Sequence, residues 1–170
     1  MSDEHWTLHT FRSAAAGHLH GAECVLSVLP QNPTHPARAP ASAAYLAHVA
    51  LECAIKARLL YRAGCADGED LKKKQPKVYD ALFRRRQGHE LARLAEEVRL
   101  SKLMKVEGKQ WVDDDCWKRL TTSERPYSLR YGAENIGASA AGAEVARSKE
   151  LADVLLSGIG FSKRKRDGDS

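Results

Sequence analysis

Residues 43–60 read AAYLAHVALECAIKARLL, the most hydrophobic and most regular stretch of the chain. At about 100° per residue, Leu46, Val49, Ala50, Cys53, Ala57 and Leu60 fall on one arc about 100° wide, an ordinary core face. Ile55 and Leu59 lie on a different arc. Beside them Tyr45, His48, Glu52 and Lys56 share a strip about 80° wide. A polar line flanked by apolar residues on both sides predicts a central helix rather than a surface one. Glu52 stands four residues before Lys56, the favoured order for a helical ion pair. Buried, such a pair needs further partners, because an isolated charge is costly away from water. Internal pairing, a dimer interface and a ligand site all satisfy that need.

The flanking segments read as further helices. Leu8, Phe11, Ala15, Leu19, Ala22, Leu26 and Leu29 recur every three or four residues, which predicts a helix over 5–29. The four prolines of PQNPTHPARAP (30–40) predict a loop, with Ser42 capping the next helix and Gly64 stopping it. A shorter helix is expected over 77–86. A third long helix is expected from His89 onward, carrying Leu91, Leu94, Ala95 and Val98, and residues 105–112 read as a turn or short extended piece. The acids of DDDCWKRLTT suit a helix start. SERPYSLRYGAEN reads as irregular, because Pro126 and Gly132 interrupt it, and a last long helix is expected over 138–159. No run with the period of a strand appears. The pattern predicts an all-α fold, an antiparallel bundle of four or five helices in one domain over residues 1–160. Residues 161–170 read as a basic, disordered tail.

Composition narrows the function classes. The charged share of 29% and hydrophobic share of 43% are those of a water-exposed globular chain, and aromatics are only 6%. No stretch reaches 18 uninterrupted apolar residues, so no membrane span is expected. MSDEHWTLHT lacks the basic-then-apolar order of a signal peptide, which points to the cytoplasm. The net charge of +5 suits a nucleotide or RNA partner without requiring one. Cys24, Cys53, Cys65 and Cys116 are widely spaced without a C-x-x-C pair and read as small buried side chains. His5 and His9, one turn apart, could share zinc, but no acid is placed to help, and no metal or other cofactor is expected.

Three pieces, taken in order, resemble HEPN domains (higher eukaryotes and prokaryotes nucleotide-binding). AAYLAHVALECAIKARLL is similar to their A-x-Y-L-x-x-x-A-L-E-x-x-x-K-A helix. GHELARL (88–94) is similar to the H-x-L-x-x-L start of the following helix, and SLRYG (128–132) sits where many members carry R-Y-P or R-Y-G. The resemblance spans residues 8–160. It implies an all-α bundle that dimerises, or pairs with an operon-encoded protein, in a defence, toxin–antitoxin or stress-response complex. It also implies binding of nucleotide or RNA, and in many members metal-independent RNA cleavage through Arg-x4–6-His.

RRRQGH supplies Arg84 and His89 at the nuclease spacing. A histidine could act as general acid or base for attack by a ribose 2′-hydroxyl while an arginine stabilises the phosphorane. The pair precedes the third long helix instead of lying near the last one, and no histidine follows His89. The alternative role for His89 is to cap or pack at a helix start. Arg130 and Tyr131 are the stronger ligand candidates, an arginine fork for phosphate and a ring to stack on a base. Arg125, Arg85 and Arg86 could extend a phosphate patch. The line Tyr45, His48, Glu52, Lys56 is expected to organise the bundle or a dimer rather than to perform chemistry. Three functions follow: a nucleotide- or RNA-binding module, an endoribonuclease, or a structural adaptor.

Overall fold

The computed structural model describes residues 6–28, 38–84, 90–112, 114–122, 125–130 and 135–159, apart from the side chains of Ala81, Arg84 and Arg125. Among them the chain is all-helical: α1 (Leu8–Val28), α2 (Arg38–Arg62), α3 (Gly68–Lys74), α4 (Pro76–Tyr79), α5 (Leu91–Glu97), α6 (Leu100–Val106), α7 (Asp115–Thr121), α8 (Arg125–Arg130) and α9 (Ala138–Leu156). A π-helical turn, Asp80–Arg84, continues α4. The one extended pairing among these residues is an isolated bridge, Thr7 to Asp67.

The helix ends explain the boundaries. Thr7 and Thr10 exchange backbone-to-hydroxyl bonds of 2.8 and 3.1 Å, closing a capping box at the start of α1. Helix α2 begins at Arg38, four residues before the cap expected at Ser42, whose hydroxyl instead donates to the Arg38 carbonyl. Pro40 is tolerated there because the first turn has no intrahelical use for its N–H. Gly64, at φ +62°, ends α2 as expected. The Cys65 N–H then reaches the Leu60 carbonyl and the Gly64 N–H the Tyr61 carbonyl, the two bonds of a Schellman cap.

Two expectations are corrected. The third long helix is broken: α5 ends and α6 begins at Arg99, which sits at φ 54°, ψ 50° in the left-handed region. Neither glycine nor proline marks that break. The segment around Pro126 is helical, not irregular, because the proline lies in the first turn of α8, where it is compatible with helix.

The three long helices pack on one another. The start of α1 meets the end of α2, where the Leu8 N–H donates to the Ala66 carbonyl, and Gly21 lies near Leu46. The start of α9 lies by the start of α2, with Ala141 in one cluster with Ala41 and Ala44, and its end lies by Arg58, which donates to the Ser157 carbonyl. Thus α2 is central, as its pattern predicts: no residue from Ala43 to Leu60 is exposed. The deepest surface matches the expected arc only in part: Ala50, Ala57 and Leu60 are completely buried, but so are Ala43, Ala47, Leu51 and Ala54 outside it, whereas Leu46, Val49 and Cys53 are half-buried. Alanines let the helix axes approach closely, so the small-residue side meets α1 and α9 while larger side chains fill the gaps beyond.

The same cluster places α8. Leu129, buried, packs with Ala41, Ala44, Ile136 and Ala141, fixing this short helix on the first half of α2.

Candidate functional site

Leu129 anchors α8 on the first half of α2, and Pro126, Tyr127 and Arg130 follow α2 further along. Between the two helices lies a cavity of about 220 Å³. Tyr45, His48 and Glu52 line it from α2, and Pro126, Tyr127 and Arg130 from α8. Three of the four residues in the polar line are therefore brought to one site with Arg130, more than 75 residues away in sequence.

Each member contributes differently. Arg130 is exposed and Tyr127 is 40% exposed, so guanidinium and phenol stand at the mouth. His48 is 2% exposed and both its ring nitrogens are sealed from solvent, so it forms wall rather than reacting group. The Glu52 carboxylate accepts a 2.6 Å bond from Lys56 Nζ, with side-chain exposures of 12% and 4%. Lys56 also lies 5.5 Å from the centre of the Phe83 ring, within a group of rings formed by Trp6, Phe11, Tyr79 and Phe83. The pairing neutralises the acid below the cavity, and the Arg130 guanidinium stands at its mouth. Ligand pockets for whole small molecules measure about 300–1,000 Å³. This one is smaller, sized for a phosphate or a single ring.

Burial pushes the thiol of Cys53, beside the ion pair, up to about 11, and the Glu52 charge adds to the effect. Burial likewise raises the Cys65 and Cys116 thiols. All four cysteines are free thiols, and Cys24 is exposed, contrary to the buried role expected of it. Between α7 and α9, Arg119 Nε donates to the completely buried Glu144 at 3.0 Å, and that bond raises the arginine's affinity for its proton.

Of the other residues singled out in the sequence, Arg85, Arg86, His89 and Tyr131 lie outside the described residues, as do His5 and residues 161–170. Arg84 closes the π-helical turn and Arg125 opens α8, and neither side chain is described. Tyr127 was missed. Its signal was the i, i+3 spacing to Arg130, which carries meaning only if the segment after Pro126 is helical.

Among the described residues no group of three or more His, Cys, Asp or Glu side chains is arranged to hold a metal ion. No described helix is long and apolar enough to cross a membrane. Comparison with protein-family models, with curated proteins and with solved structures finds no match.

Proposed function

We propose that this chain is a HEPN-like helical bundle, with α1 antiparallel and α9 parallel to the central α2, that binds RNA or a nucleotide. In this reading it acts in the cytoplasm within a prokaryotic defence, toxin–antitoxin or stress-response complex, as a homodimer or with an operon-encoded partner. The observation that carries the binding reading is the cavity joining Tyr45 and Glu52 of α2 to Tyr127 and Arg130 of α8. A guanidinium beside an accessible phenol can hold a phosphate and stack on the adjoining base.

Gel-shift titration with labelled single-stranded RNA tests the site. Tyr127→Ala weakens binding by roughly 1–3 kcal/mol, and Arg130→Ala lowers the salt slope by about one. Unchanged affinity and salt slope in both variants would refute this location. Incubating the same RNA in chelator separates binding from cutting. Intact RNA argues against the endoribonuclease alternative, which rests on Arg84 and His89, whereas cleavage abolished by His89→Ala would replace the binding reading with it. A chain that binds no RNA or nucleotide at all would leave the adaptor reading.

A further inference from the structure

A second cavity, of about 560 Å³, opens where α5 and α6 meet α7. It falls within the volume range of sites that take a whole small ligand. Trp111 and Trp117 line it, their rings edge to face with centres 4.9 Å apart and planes at 75°. The Trp111 ring is held from behind: the Arg147 guanidinium lies 5.9 Å from its centre and is itself fixed by Glu150 at 2.6 Å and the Val112 carbonyl at 3.2 Å. Trp117 is fixed by its place in the core and by the Asp114 cap, which accepts from its N–H at 2.8 Å. Arg99 and Lys102 stand at the lip, both exposed, and neither pairs with an acid among the described residues. Glu96 is the one acid among the described residues of the lining.

Arg99 carries a second signal. Three other helix ends in the chain use glycine where the backbone turns left-handed, Gly64, Gly108 and Gly158 at φ 62° to 69°. At the α5–α6 break the same turn is made by an arginine, at a cost of about 1–2 kcal/mol over glycine. Strain of this kind marks positions where a side chain is needed for something other than stability. Here the strained residue puts a guanidinium over a cavity walled by two indoles.

We propose that this cavity binds a nucleoside phosphate, the base against the Trp111–Trp117 wall and the phosphate at Arg99 and Lys102. The indoles supply sequence-tolerant stacking surface, and the two cations supply charge-assisted bonds to phosphate oxygens. The same chemistry is offered by a free nucleotide and by one residue of a single strand. The site is distinct from the α2–α8 cavity and does not depend on it.

Tryptophan fluorescence tests the proposal directly. Of three tryptophans, Trp6→Phe leaves Trp111 and Trp117 as reporters in the full chain. Adenosine 5′-monophosphate and a five-residue oligoadenylate are titrated, with adenosine as the arm lacking phosphate. The expected result is saturable quenching, weakened about tenfold in Arg99→Gly and in Lys102→Ala, and weaker for adenosine. Quenching by the mononucleotide identifies a free nucleotide, and quenching by the oligomer alone identifies a strand. Arg99→Gly removes the charge while relaxing the backbone, so a retained or raised melting temperature excludes unfolding as the cause of the loss. Absence of quenching by both phosphates, or equal affinity in wild type and both variants, overturns the proposal. Arg130→Ala separates the two sites: retained quenching with lost RNA binding supports this one, and lost quenching in that variant refutes its independence.

Discussion

Lys56 donates to Glu52 at 2.6 Å one helical turn away, and both side chains are largely enclosed by the chain's own helices. The two opposite charges are matched to each other rather than to water, so neither residue can be removed alone without exposing the other's desolvation penalty. Glu52→Ala is expected to destabilise the fold by about 3 kcal/mol, the low end for a broken buried pair, because Glu52 keeps 12% of its side-chain surface. Glu52→Leu combined with Lys56→Met should lie close to wild type. Urea unfolding of the three proteins checks this, and a double variant no better than Glu52→Ala would contradict it.

Arg99 should be replaceable with profit to stability. Glycine at φ 54° escapes the clash of a Cβ with the following carbonyl, so Arg99→Gly should add about 1 kcal/mol. For a chain of this size that is roughly 2–4 °C in melting temperature. Arg99→Val should move it the other way, since a β-branched side chain suits this region least.

The cysteines should differ in reactivity by burial. Cys53, raised to about 11, stays a thiol through neutral and mildly alkaline pH, whereas Cys24 is exposed. Alkylation of the folded chain at pH 8, followed by peptide mass spectrometry, should label Cys24 well before Cys53. Linkage follows with a definite sign. Above about pH 9 the unfolded chain loses a proton that the folded chain keeps until about pH 11. Cys53 therefore contributes stability that is present at neutral pH and lost as pH rises across that window. Cys53→Ala should flatten the decline, measured as the difference in unfolding free energy from wild type between pH 8.5 and 10.5.

Anchor and ligand contact should separate on α8. Leu129 is buried and Arg130 beside it is exposed. Leu129→Ala should cost about 2–5 kcal/mol and weaken RNA binding through loss of α8 from α2. Arg130→Ala should change stability by no more than about 0.5 kcal/mol while weakening RNA binding. Equal losses of stability in the two variants would mean that Arg130 also serves the fold.

How much was legible before the structure depended on how local the signal was. Helices α1, α2 and α9 follow from spacings of three and four, because the helical period is a property of a few neighbouring residues. Gly64 as a terminator is equally local. The break at Arg99 was not legible, since nothing in HELARLAEEVRLSKLM differs in type from one continuous helix. Helix α8 was misread because Pro126 carries two opposite meanings, breaker in a helix interior and starter in a first turn.

That residues 43–60 form a central helix with Tyr45, His48, Glu52 and Lys56 on one strip can be read from the residues alone, because helical geometry fixes which side chains share a face. What that strip meets is settled only by packing. Packing of Leu129 brought Arg130 and Tyr127 over Tyr45 and Glu52, and packing of α7 brought Trp117 beside Trp111 under Arg99. These neighbours are set by how buried surfaces fit together at long range, and no periodicity along the chain encodes that fit.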